Sequence, residues 1–208
     1  MDRLHSLKLG AAAVLVVTFG MAGCEKSGEK KEPADPGGRV DAVQATRPEK
    51  QVSLEEFCDV RAASKDAAPA LAMPPLAGGQ AAPAKGTWRW INLWATWCKP
   101  CIEEMPQLVA WHKQLAAEGA RFDLVFVSGD DSDEKVARFR EKHPDTPASL
   151  RLADPDSLPK WLAELGLGES APIPVHVFVD PDDKIRCVRV GVASDKHLPA
   201  VKAVLGSP

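Results

Sequence analysis

The chain has 208 residues, 45% of them hydrophobic and 26% charged, with 26 Lys+Arg against 29 Asp+Glu and a formal charge of −3. That balance is too mild to argue for a nucleic-acid partner or an anionic membrane surface, and the length allows one domain of ordinary size plus a tail. Five cysteines leave disulfide and metal chemistry open.

Residues 1–23 read as a removable signal: Arg3 and Lys8 supply charge, and an uncharged, mainly apolar run follows from Leu9 to Ala22. Fourteen residues are short of the roughly 20 that a membrane-spanning helix needs but suit a secretory signal. The run ends in Met21-Ala22-Gly23-Cys24, which resembles a bacterial lipoprotein signal and implies that Cys24 carries lipid and becomes the new N-terminus. A plain signal peptide cut nearby and an uncleaved anchor are the alternatives. Removing Asp2, Arg3 and Lys8 leaves 24 basic and 28 acidic residues, a formal charge of about −4. Export makes stable disulfides permissible. With Cys24 lipidated, Cys58, Cys98, Cys101 and Cys187 remain, enough for two pairs.

Residues 24–50 are rich in Glu, Lys, Pro and Gly and poor in apolar side chains, so they read as a flexible tether. Residues 51–208 form the domain. Within it, Val52 to Val60 is expected to be a short strand or turn, and 66–86 is an Ala/Pro/Gly-rich loop region. Trp90-Ile91-Asn92-Leu93-Trp94 reads as a buried strand. Cys98 to Glu118 reads as a helix ended by Gly119 and kinked at Pro106, with Met105, Leu108, Trp111 or His112, and Leu115 facing inward. A strand follows over Phe122–Val127. Asp131 or Ser132 then caps a helix to about Lys142. The remaining expectations are a strand over Ser149–Ala153, a helix over Asp156–Leu165, a hairpin of Val175–Val179 with Lys184–Val190, and a last helix over Asp195–Leu205. This order implies an α/β fold: a central mixed sheet flanked by helices, with an inserted α-β unit and an N-terminal extension.

The sequence Trp94-Ala95-Thr96-Trp97-Cys98-Lys99-Pro100-Cys101 carries the chemistry. A zinc site needs about four N or S ligands, but there is no second CxxC, and His112 and His143 are isolated, so no metal or other cofactor is expected. The strand-to-helix setting favours a redox pair. At a helix N-terminus, unpaired N–H groups and the dipole stabilise a Cys98 thiolate, and Lys99 adds positive charge. Pro100 suits a first turn, where its missing N–H is not needed. Cys101, one turn deeper, is then the resolving thiol. Cys58 and Cys187 are left as a possible structural pair, against two free thiols or an intermolecular bond. Trp97 reads as a shield and apolar contact surface beside the dithiol, and Trp94 as core. His176 reads as a core or edge histidine that could also tune the site. The run Asp130-Asp131-Ser132-Asp133-Glu134 reads as a solvated helix start.

The segment from Asn92 to Pro106 resembles the active site of the thioredoxin superfamily, and is most similar to membrane-anchored TlpA/ResA-like thiol:disulfide oxidoreductases. Ile173-Pro174 followed by an apolar strand, Asp154-Pro155-Asp156, and Asp180 to Ile185 extend the match over about 70–206. The resemblance implies a thioredoxin-like fold, a cis peptide before Pro174 facing the dithiol, and reduction of disulfides in exported proteins. It also implies an upstream membrane thiol donor, a lipid anchor, an extracytoplasmic site in a bacterial envelope, and a place in cytochrome c maturation. Ordinary thioredoxin has a buried carboxylate six residues before its first cysteine; here that position is Asn92. TlpA/ResA-like proteins instead have a Glu three residues after the second cysteine, matched by Glu104. One helical turn sets Glu104 on the face of Cys101, where it can move the resolving thiol's proton; Glu103 reads as an ordinary first-turn carboxylate. The competing readings are a net thiol oxidant, a peroxidase (whose Pro and Thr before a single cysteine are absent), and a copper-delivery protein on the same fold, for which no third ligand is clearly placed.

Overall fold

The computed structural model describes residues 52–206; the signal, Cys24 and the whole tether lie outside them. Six strands form one sheet in the order β1-β6-β5-β2-β3-β4. They are β1 (Val60–Arg61), β2 (Trp88–Trp94), β3 (Phe122–Ser128), β4 (Ser149–Arg151), β5 (Val175–Val179) and β6 (Ile185–Val190). β2, β3 and β4 run parallel, whereas β5 is antiparallel to β2 and β6, and β1 is antiparallel to β6. The sheet is therefore mixed, with β3 and β4 bracketing α3 (Asp133–Lys142) as the α-β unit read from the sequence.

The strand β2 is covered on both faces, which explains its near-continuous apolar sequence. Side chains alternate across a strand. Trp90 and Trp94 join the layer containing Leu108, Trp111 and Phe178, while Ile91 and Leu93 join Trp161, Leu162 and Val177 on the other side. The first layer is closed by α2 (Lys99–Ala117) and α5 (Leu198–Leu205), and the second by α4 (Leu158–Glu164). Cys101, Met105, Leu108, Trp111 and Leu115 form the buried stripe of α2, spaced as an amphipathic helix requires. Of the inward alternatives at 111 and 112, Trp111 is buried; His112 is half-buried and reaches the Phe122 carbonyl. The helix is continuous through Pro106 and ends before Gly119, whose φ of +98° suits a glycine.

Two local expectations are corrected. Val52 to Val60 is not mainly strand or turn: Leu54–Phe57 forms a helical turn, α1, closed by a Ser53/Glu56 capping box, and only Val60 enters β1. The S-x-x-E pattern was the available signal. Asp130 does not belong to a solvated run, since it is 1% exposed. Only the residues after it match that reading: Ser132 caps α3, and Asp131, Asp133 and Glu134 pair with Lys135, Arg151 and Arg138.

Candidate active site

The parallel strands β2 and β3 end in register, with Trp94 opposite Ser128, so the segments leaving them run side by side. Asp130 clasps the two together. Its carboxylate accepts from Thr96 N (2.9 Å), Thr96 Oγ1 (2.7 Å) and Ser128 Oγ (2.7 Å). The Thr96 turn that delivers Cys98 is thereby held by a buried acid, and buried polar groups so satisfied specify one local geometry. This residue was missed in the sequence because its partner lies 34 positions away.

Cys98 is the N-cap of the 19-residue helix α2, with its Sγ accepting from Cys101 N at 3.3 Å. Cys98 and Cys101 are joined as a disulfide. Cys98 is 4% exposed and Cys101 is fully buried. The Ile173 carbonyl lies 3.7 Å from Cys98 Sγ, and the Ile173–Pro174 bond is cis, so the loop entering β5 faces the dithiol. Trp97 is 67% exposed next to Cys98, and Trp94 is buried with its indole donating to Ser149 Oγ. Pro100 occupies the first turn of α2. The Lys99 side chain is 85% exposed and 3.5 Å from Glu103, so it contributes a screened surface charge.

Beneath the pair, Glu104 is 2% exposed. Its Oε1 accepts from Asn92 Nδ2 at 2.9 Å, and its Oε2 accepts from Ala193 N at 2.8 Å. Asn92 and His176 are cross-strand partners on β2 and β5, and both are fully buried. His176 Nε2 lies 3.5 Å from Glu104 Oε2 and 3.2 Å from the Gly191 carbonyl. His176 is thus a core histidine in direct contact with the site carboxylate. The periodicity of β5 marks its face, but only the strand register brings it to Glu104.

The second pair, Cys58–Cys187, is also joined as a disulfide and links the turn after α1 to β6. Among the described residues, no group of three or more His, Cys, Asp or Glu is gathered as a metal site, and no helix is long and apolar enough to cross a membrane. A helix-capping cysteine with a buried partner, a cis-proline loop and a buried carboxylate is an arrangement suited to thiol–disulfide exchange.

A match to the AhpC/TSA family spans residues 65–188, more than half of the chain, which therefore belongs to that family. It is similar to the thiol-disulfide oxidoreductase ResA of Bacillus thuringiensis (strain Al Hakam), at 27% identity over 101 residues, 49% of this chain and 53% of that one. The thioredoxin-like protein YneN of Bacillus subtilis (strain 168) is 38% identical over 60 residues, 29% of this chain and 35% of that one. The chain thus spans about half the length, or less, of these curated relatives. Among solved structures, the thioredoxin domain of a Bacteroides vulgatus thiol-disulfide oxidoreductase superposes with a TM-score of 0.51 at 21% identity, covering 67% of this chain and 95% of that one. A thiol-disulfide isomerase from Corynebacterium glutamicum gives 0.52 at 15% identity, covering 69% and 99%. These superpositions establish the thioredoxin-like fold.

Proposed function

We propose that this member of the AhpC/TSA family is an exported, lipid-anchored thiol:disulfide oxidoreductase that reduces protein disulfides through Cys98 and Cys101. The observation that carries this reading is the N-cap position of Cys98, disulfide-paired with Cys101 above the buried Glu104. The reduced Cys98 thiolate attacks a client disulfide, forming a Cys98–client bond and releasing one client thiolate. Cys101 gives its proton to Glu104, and the Cys101 thiolate then attacks Cys98. The Cys98–Cys101 bond forms, the second client thiolate leaves, and two electrons have passed to the client.

Pro174 lies on the loop facing the pair and lines the client backbone, with Trp97 as the apolar contact beside it. A membrane thiol donor restores the dithiol. Cys24, outside the described residues, carries the lipid that holds the domain on the extracytoplasmic side of a bacterial membrane. Exported polypeptides with a disulfide are the clients, apocytochrome c among those that the resemblance to TlpA/ResA-like proteins implies.

Cys101→Ser in the native envelope is expected to hold clients as mixed disulfides on Cys98, and reductive release would identify them. Cys98 that stays inert towards disulfides in this variant rejects the exchange mechanism. Glu104→Gln is expected to slow resolution about 10²-fold, the lower range for a positioned acid–base group, and to remove one inflection from the pH–rate profile. An unchanged profile removes Glu104 from the mechanism.

A further inference from the structure

Glu104 sits in a polar chain that continues away from the dithiol. Trp90 Nε1 lies 3.2 Å from His176 Nδ1. An indole N–H can only donate, so Nδ1 is the acceptor and the ring proton is on Nε2. That proton points to the Gly191 carbonyl at 3.2 Å, with Glu104 Oε2 at 3.5 Å from the same nitrogen. A proton on Nδ1 would oppose the indole N–H, so the ring turns its Nε2–H to the Gly191 carbonyl beside Glu104. Asn92 Nδ2 donates to Glu104 Oε1 at 2.9 Å and lies 3.3 Å from His176 Nδ1. Among the described residues Asn92 Oδ1 is buried without a hydrogen-bond partner.

We propose that His176 is a positioning residue for Glu104, its Nε2–H set beside Oε2 by the Trp90 indole that occupies Nδ1. The inference rests on the reading of Glu104 as the carrier of the Cys101 proton. Oε2 accepts from Ala193 N, with His176 Nε2 beside it at 3.5 Å, and Oε1 accepts from Asn92 Nδ2. The Cys101 S–H bond breaks, its electron pair stays on sulfur, and an O–H bond forms on the Glu104 carboxylate.

The charged groups around this chain come from several elements. Arg189 on β6 is the cross-strand partner of His176; burial lowers its guanidinium, and the charges of Asp59 and Glu104 oppose that shift. His197, just before α5, is pushed down to about 4 by burial, then by Arg189, Lys196 and His176. From α2 come the two cysteines and Glu104, and β2 presents the neutral Trp90 and Asn92 to this face.

The test is the pH profile of mixed-disulfide resolution in the full chain, measured with a small disulfide probe for wild type and for Glu104→Gln, His176→Leu, His176→Gln and Trp90→Phe. Loss of the His176 donor disfavours the carboxylate, so in His176→Leu the Glu104-dependent inflection moves up by about one pH unit, tenfold in the protonation equilibrium. His176→Gln, which retains an N–H at the end of the side chain, restores most of that shift. Trp90→Phe frees Nδ1 and adds a second inflection from His176. If Glu104→Gln changes the profile but His176→Leu and Trp90→Phe match wild type, the positioning role is overturned and the exchange reading stands. If Glu104→Gln itself leaves the profile unchanged, both fall. Should the His176 variants fold poorly, nitrogen NMR of the wild-type ring decides: an unprotonated Nδ1 and a protonated Nε2 through neutral pH support the proposal, and a protonated Nδ1 overturns it.

Discussion

Cys98–Cys101 and Cys58–Cys187 lie in one hydrophobic layer and are similarly buried, at 4% and 0% against 8% and 1% exposed. Their surroundings differ. Cys98 caps the N-terminus of a 19-residue helix and accepts an N–H from Cys101. Cys58 is the C-cap of the four-residue α1, the end whose carbonyls disfavour negative charge. Glu104 lies one turn beyond Cys101 in α2, while Cys187 packs with Phe57 and Phe178. Arg61 and Arg186 line a small cleft beside Cys58, but they are paired with Glu55 and Asp180. Stabilisation of the thiolate, not access alone, is what separates the two pairs.

The largest expected effect breaks the comparison into its halves. Cys98→Ala abolishes exchange and, because the pair closes a very short loop, costs at most about 2 kcal/mol of stability. Cys58→Ala with Cys187→Ala opens a loop spanning 129 positions, worth about 3–5 kcal/mol in the chain-entropy account, yet is expected to leave exchange by the folded fraction within about twofold of wild type, because the proposed electron path runs through Cys98 and Cys101. Urea unfolding and a disulfide-reduction assay on the same samples separate the outcomes. Loss of exchange in folded double variant would place the second pair in the electron path.

The parts of the site written in contiguous sequence were legible: the CxxC pair, its helix and the apolar runs of the strands, with the entry to β5 at Ile173-Pro174 marked by the family resemblance. What was not legible depends on register. Asn92 and His176 are 84 residues apart and meet only because β2 and β5 pair antiparallel at that step. Thr96 and Asp130 meet because β2 and β3 end together. Asp130 was read with its acidic neighbours because composition alone does not distinguish a carboxylate that turns inward from those facing solvent. α1 was too short for periodicity to show.

A smaller effect sharpens the comparison at its boundary. His197 packs against Phe57 on the Cys58 side, with ring centres 5.6 Å apart, and accepts from Ser194 N at 2.9 Å. Its imidazole is pushed from 6.5 to about 4 by burial, then by Arg189, Lys196 and His176. As pH falls below about 6.5 the unfolded chain takes up this proton before the folded one does. Stability is therefore lost from about pH 6.5 down to about pH 4, below which both states are protonated. After allowance for solvent screening, the loss is about 1–2 kcal/mol. His197→Gln suits the capping-box position and should flatten that part of the urea-stability profile while the inflection of exchange stays in place. Movement of the exchange inflection would tie His197 to the dithiol and not to the α1 side.

The smallest effect concerns Lys99. Its charge adjoins Cys98 in sequence, but its side chain is 85% exposed and paired with Glu103. Screening leaves such a charge little influence, whereas the backbone N–H of Cys101 and the end of α2 act on Cys98 from inside the protein. Lys99→Gln should move the pH midpoint of Cys98 alkylation by only a few tenths of a unit, about twofold in rate, and high salt should erase even that. A shift of a whole unit would mean that the thiolate is stabilised by the exposed lysine and not by the helix terminus. The contrast between an N-cap cysteine and a C-cap cysteine would then no longer explain why one pair exchanges and the other holds.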